Sequence, residues 1–538
     1  MSPSSPKYVP LPAGKSMRFD GIELTLGPAA DLAGGGAWRV GNSKEGARHR
    51  VLEFPADRVP ASLAQAVNIA GVAGAAAELR DEQRTAFALR PAPGPSLDWI
   101  LRRGEGLPLF DLSLIAALAE LFQSVHDAGL LFGAAAASMF SVDGSGRVSL
   151  EEPEVLRAPS EPSAHLGPFS APELAAGGAG DARSDQYSLA ALAYAILVGR
   201  PARERGDFPP PRIWRPALPH GAVTALSRAT REDPAERYPS VRAFAEDLKA
   251  RCAPAGQSPR TLELGAATAI GRLKSQQMPV NQDAYHVGYD EKSRRGILLV
   301  ADGVSTADVG SGDLASGLLR DAVKNAWEGP VGDILRSHKG PLPEDWAKTA
   351  LDAILDDANA RIFAFLKQPI FVGSLGPSTH PPGSTAVLCI LDGDKMTVAN
   401  VGDSRLYLLR GGALEQMSVD QDLRTEVLRA GRDPRAAGDP SLLGALTHSV
   451  GNFLFDSQGG INMRPIQPDV FTLWLRAGDR LLLCSDGIPD CLGETYEETA
   501  TEELQANAGA EAIAQKLCRL ADDALGADNL TALIILAH

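Results

Sequence analysis

Cysteine is scarce in this chain, with five among 538 residues. Cys252, Cys389, Cys484, Cys491 and Cys518 are odd in number, scattered, and nowhere at metal-ligand spacing. That pattern excludes a disulfide framework and a Cys/His zinc site, and it points to a reducing cytoplasm. Cys389 and Cys484 lie inside apolar runs, where burial as small hydrophobes is expected. Also missing is any apolar stretch near the roughly 20 residues that span a bilayer. The opening "MSPSSPKYVPLPAGKSM" lacks the apolar core of a secretory leader. Nor is there an excess of basic residues, since 52 Lys and Arg face 67 Asp and Glu, a net charge of −15. Nucleic acid and anionic lipid need clustered cations, so neither is expected as a partner. Divalent cations suit such a chain better.

The length exceeds what one hydrophobic core fills, about 250–300 residues, so at least two domains are expected. The clearest boundary is "RCAPAGQSPRTLELG" at 251–265, after the helical pattern "SVRAFAEDLKARC" and before strand-like runs. This divides the chain into a tail (1–19), a first domain (20–252), a linker (253–262) and a second domain (263–538). The Pro-rich "GDFPPPRIWRPALPHG" reads as a surface loop of the first domain.

In the second domain, four apolar runs end in or adjoin an acidic residue beside Gly or Asn. They are "GILLVADG" with Asp302, "MTVANVGDSR" with Asp403, "RLLLCSDG" with Asp486, and "ADNLTALIIL" with Asp528. One Asp-Gly after a strand is an ordinary turn. Four in one domain suggest strand ends that converge, and converging carboxylates repel unless a positive charge lies between them. Oxygen ligands without a His/Cys cluster favour a hard ion, Mg²⁺ or Mn²⁺.

The ordered series "NQDAYHVG", "VADGVS", "GSTAVLCIL", "VANVGDSRLYLLRGG", "LTHSVGN", "LLLCSDGIPDCL" and "GADNLTALIIL" resembles the metal-dependent (PPM, type 2C) protein Ser/Thr phosphatases. The resemblance implies an α/β/β/α sandwich with a two-metal site at one end, holding Mg²⁺ or Mn²⁺ and room for a third ion. It places Asp302 between both metals, with the Gly303 carbonyl on one of them. Asp486 and Asp528 fall on the other, Asp283 in or near the ligand set, and Asp403 at the third, weaker position. Asp302 and Asp486 are thereby the principal catalytic carboxylates. The chain also departs from the pattern. The phosphate-binding Arg falls on Met278 within "GRLKSQQMPV", which leaves Arg272 or Lys274 for the substrate phosphate. "VSTADVG" replaces the usual Gly-Gly and its nearby His. The expected "DH" reads Asp420-Gln421, leaving His448 as the candidate general acid.

The first half resembles a bacterial Ser/Thr protein kinase without its chemistry, which implies a bilobal α+β fold. "APELAAGGAGDARSDQYSLAALAYAILVGRPA" and "AVTALSRATREDPAERYPSVRAFAEDL" carry that resemblance. By it, Glu173 pairs with Arg237 and Asp185 anchors the C-lobe. Phosphoryl transfer needs a base and Mg²⁺ ligands. The base position is Ala134, the neighbouring Lys Ala136, and the Mg²⁺-binding Asn Met139. Glu152, Pro153 and Glu154 replace the D-F-G turn, and Glu53 stands where a phosphate-gripping Lys belongs. The Gly-rich "LAGGGAWRV" is a weak nucleotide signal. A pseudokinase is therefore expected, as a regulatory or docking module with no nucleotide cofactor assigned. The function implied for the whole is a phosphoserine/phosphothreonine phosphatase acting on a phosphoprotein, alongside a cognate active kinase. The alternative is a non-catalytic scaffold in which both halves bind partners.

Overall fold

The computed structural model describes residues 10, 13–19, 22–32, 36–103, 112–133, 135–159, 161, 167–199, 208–253, 258–368, 379–436, 439–455 and 460–538. Two compact units emerge, one from 1–208 with 225–251, the other from 209–224 with 252–538. The Pro-rich segment thus groups with the second unit, although its place in the chain is within the first half.

The first unit opens on an antiparallel sheet. Its strand order is Ser16–Phe19, Ile22–Leu26, Ala37–Ser43, Arg48–Pro55, Arg84–Leu89 and Ala75–Arg80. Helices Leu112–Asp127 and Ala182–Val198 come next, with a hairpin of Phe140–Val142 and Val148–Leu150 between them. Ala182–Val198 is buried from Ser184 onward. Asp181 caps it by accepting from Arg183 N (2.8 Å) and Ser184 N (3.3 Å). Gly199 ends it at φ 77°, a conformation that glycine adopts without strain.

The second unit is a sandwich of two five-stranded antiparallel sheets. One runs Leu262–Ile270, Asn529–Ala537, Arg480–Cys484, Arg405–Arg410 and Ala413–Gln416. The other runs Asp283–Asp290, Arg295–Asp302, Ala386–Asp392, Lys395–Val401 and Asp469–Trp474. Both faces of each sheet are covered, which explains why the strands read as continuous apolar runs instead of alternating ones. In Arg295–Asp302, Leu298 and Val300 face the opposite sheet with Leu483, Leu533 and Ile535. Ile297, Leu299 and Ala301 face helices Gly312–Glu328 and Trp346–Leu366. Helix Ala510–Ala524 covers the other outer face, over Leu482, Leu530 and Ile534. Cys389 and Cys484 are fully buried in these layers.

Candidate functional site

The antiparallel register of the central strands brings the acids together. Asp302 ends one strand, Asp283 begins its neighbour, and the two are direct register partners. Asp486 lies just after strand Arg480–Cys484, and Asp528 precedes strand Asn529–Ala537, which pairs with it. All four sit at one end of the sandwich, close enough for each charge to act on the others. Gly303 has a packing reason to be glycine, since a Cβ there would collide with the Gly312 backbone. That close approach seats the Asp302–Gly303 turn on the start of helix Gly312–Glu328.

Hydrogen bonds fix these side chains. Ser485 Oγ donates to Asp283 Oδ2 at 2.7 Å, and Thr531 N donates to Ser485 Oγ at 3.1 Å. Asp302 N donates to Thr385 Oγ1 at 2.9 Å, and that hydroxyl meets Ser404 Oγ at 2.6 Å. Ser485 and Thr385 both lie inside motifs that carry the family resemblance, yet residue type alone assigns neither of them a role. Their neighbours in the chain are the only signal.

Burial and mutual repulsion set the electrostatics. Burial, then the charges of Asp486 and Asp528, push Asp283 up to about 7 against the lowering effect of Thr531 and Ser485. One edge of Asp302 reaches solvent, but the packed surroundings strip its hydration. That desolvation, with Asp283 and Asp486, holds it well above the usual carboxylate range. Asp486 is raised chiefly by burial, while a hydrogen bond with Asp302 works the other way. Asp403 rises to about 7 through burial and the charges of Asp486 and Asp420.

Two observations test whether a cation fits. Asp283 Oδ1 and Asp486 Oδ1 are buried and have no hydrogen-bond partner. Buried oxygens without donors are an uncompensated cost unless an ion takes them up. The donor set is all oxygen and acidic, as Mg²⁺ or Mn²⁺ requires. Among the described residues no three such side chains close round one point as a finished cage. The carboxylates lie close enough to raise one another, and one of them, Asp528, is ion-paired through Oδ1 with Lys274 Nζ (2.6 Å). The residues fit a hard divalent ion.

The two candidate phosphate cations part company. Lys274 reaches the cluster, and its Nζ also lies 3.3 Å from Ser305 Oγ. Arg272 does not, because its Nη2 donates to the Asp523 carbonyl at 3.0 Å. His448 bonds through Nδ1 to Thr447 Oγ1 at 3.0 Å and to no carboxylate among the described residues. The residues in place of "DH" hold the hairpin. Asp420 takes the Arg405 guanidinium at 2.7 and 3.0 Å. Gln421, 1% exposed, accepts from Gly402 N at 3.0 Å and donates to the Gln467 carbonyl at 3.2 Å. It thereby pins the turn that presents Asp403.

Comparisons with known proteins match the second half of the chain. The family described as "Protein phosphatase 2C" matches residues 376–530. The serine/threonine phosphatase stp of Listeria monocytogenes serotype 4b (strain F2365) is 27% identical over 247 residues, which are 46% of this chain and 86% of that protein. Protein phosphatase PhpP of Streptococcus pneumoniae serotype 2 is 27% identical over 276 residues, 51% of this chain and 97% of that protein. The crystal structure of the Mycobacterium tuberculosis serine/threonine phosphatase PstP/Ppp has a TM-score of 0.38 at 25% identity, covering 52% of this chain and 100% of that one. The C-terminal unit of this chain carries a Ser/Thr phosphatase domain of the metal-dependent PPM (type 2C) family.

Proposed function

We propose that this protein hydrolyses phosphoserine and phosphothreonine in a phosphoprotein, at the acidic end of its sandwich. The observation that carries this reading is the register pairing of Asp283 with Asp302, beside Asp486, with two buried oxygens left without donors. Asp283, Asp302 and the Gly303 carbonyl would hold one divalent ion, Asp302, Asp486 and Asp528 a second, and Asp403 a weaker third. Bound there, Mg²⁺ or Mn²⁺ neutralises phosphoryl charge and lowers the pKa of water towards about 7. The chain's own residues supply placement. Ser485 and Thr385 hold Asp283 and the Asp302 backbone, and Lys274 offers its ammonium to phosphoryl oxygens. His448, tied to Thr447, has a peripheral part in protonating the leaving group. Manganese-dependent release of phosphate from a phosphothreonine peptide by the full chain tests the reading, together with its loss in Asp302→Asn. Equal turnover in EDTA would sink it.

The first unit we read as a kinase-like fold kept for regulation or docking, with the phosphate on the substrate placed by a separate active kinase. Three contacts support this. Glu173 takes Arg237 at 2.8 and 2.9 Å. Asp185, fully buried, accepts from Phe132 N and Gly133 N, each at 2.9 Å. Glu53, also fully buried, is paired with Arg39 at 3.2 Å and Arg84 at 3.1 Å, so it is unavailable to a nucleotide. Met139 is buried as well. Ala134 and positions 33–35 of the Gly-rich turn lie outside the described residues.

A further inference from the structure

Lys274 belongs to the short turn Lys274–Gln277, and its partner Asp528 is 254 residues away in sequence. The turn is fastened to the segment that carries Asp528. Gly271 N donates to the Asp528 carbonyl at 3.0 Å, and Leu273 N and Lys274 N to the Gly526 carbonyl at 2.8 and 3.1 Å. A Cβ at Gly271 would strike both of those carbonyls. The backbone around Lys274 is therefore fixed, and only the side chain can change partners. Among the described residues, Lys274 is the one cation within ion-pair distance of Asp283, Asp302, Asp486 or Asp528. Its side chain is 13% exposed and that of Asp528 40%, so the pair is partly exposed. A second partner is at hand, since Ser305 Oγ lies 3.3 Å from Nζ and itself donates to Gln282 Oε1 at 2.8 Å.

We propose that Lys274 is an exchangeable counter-ion. It neutralises Asp528 while the carboxylates hold no divalent ion, and it is released from Asp528 when one binds. This rests on the reading of the carboxylates as a metal site given above. Lys274 Nζ and Asn529 N both occupy Asp528 Oδ1, and an ammonium there repels a divalent ion drawn to the same carboxylate, so each weakens the other's hold. The ammonium, anchored beside the site, then turns to the Ser305 side, where it is free for a phosphoryl group. The exchange couples the two ligands: the lysine weakens metal binding, strengthens phosphate binding, and favours metal entry before the phosphorylated substrate.

The test is a calorimetric titration of the full chain with Mn²⁺ alone, and with orthophosphate in the presence of saturating Mn²⁺. Lys274→Gln should bind Mn²⁺ about two- to fivefold more tightly, the range of a partly exposed ion pair removed. The same variant should bind orthophosphate about tenfold or more weakly, as a charge-assisted hydrogen bond is lost. Lys274→Arg keeps the charge and should restore phosphate affinity without the gain in metal affinity. Unchanged or weaker Mn²⁺ binding in Lys274→Gln overturns the exchange. Asp302→Asn separates that failure from a wrong metal assignment: it should lose Mn²⁺ affinity whatever Lys274 does, and if it binds as wild type the metal reading itself falls.

Discussion

At the scale of single residues, the carboxylate cluster opposes the fold unless an ion is bound. Asp302→Asn and Asp486→Asn should each abolish hydrolysis and diminish stabilisation by Mn²⁺, while the metal-free protein stays as stable or becomes more so. Thermal unfolding in EDTA and with Mn²⁺ reads both effects. The pH dependence has a definite sign. Asp283 is raised from an ordinary value to about 7, so its folded form holds a proton that the unfolded chain releases at lower pH. Its contribution to stability is complete below about pH 4 and is lost as pH climbs towards 7. In EDTA, the wild-type Tm minus that of Asp283→Asn should therefore fall across that window. A flat difference would show that the carboxyl is not desolvated. His448 is tied through Nδ1 to Thr447 Oγ1 and to no carboxylate among the described residues that would orient it as an acid. His448→Ala should reduce turnover of a phosphothreonine peptide far less than the 10²–10⁴-fold (approximately) expected for a general acid.

At the scale of elements, two polar contacts hold the hairpin Arg405–Gln416 and the segment after it. Gln421 pins the Gly402 turn, and replacing it with Ala leaves Gly402 N and the Gln467 carbonyl unpartnered. A loss of about 1–3 kcal/mol in urea denaturation is expected. Arg212 makes the stronger case. It is buried in the Pro-rich segment and donates to Glu415 Oε1 from Nε (3.2 Å) and Nη2 (2.6 Å). Gly221 N donates to Glu415 Oε2 at 2.8 Å, and Arg429 Nε to the Ile213 carbonyl at 3.1 Å. Arg212→Ala strands a buried carboxylate and should destabilise the second unit by about 3–5 kcal/mol. Arg212→Met with Glu415→Leu removes both charges and should recover most of that loss. Recovery absent in the double variant would assign the effect to lost packing.

At the scale of the molecule, the compact second unit is not continuous in sequence, so a cut near residue 258 does not isolate it. A fragment from 259 onward lacks 209–224 and leaves Glu415 without Arg212. Its urea midpoint should lie below that of the corresponding transition in the full chain, and a matching midpoint would show that the segment contributes nothing. The first unit should transfer no phosphate, because Glu53 is locked between two arginines. ATP with Mg²⁺ should leave its melting temperature unchanged. A rise of several degrees would contradict the pseudokinase reading.

The order of motifs, the acid at each strand end and the continuous apolar runs were legible in the chain, because strand periodicity and turn chemistry are local properties. The reading of the first half as kinase-like without kinase chemistry likewise rests on residue identity, at positions that the resemblance alone aligns. Pairing and reach were not legible. Nothing in "GRLKSQQMPV" says that Lys274 meets Asp528 while Arg272 turns to a helix end, since that choice depends on which segments the loop is tied to. Nor could "DQ" announce that Gln421 is a buried pin, because its partners Gly402 and Gln467 lie 19 and 46 residues away. The Pro-rich stretch looked like a surface loop of the first domain, as its composition suggests. Only the fold, by burying Arg212 against Glu415, made it part of the second. Sequence alone determined which groups were present and in what order. The tertiary structure decided which of them share a desolvated space, where charge becomes expensive enough to do chemistry.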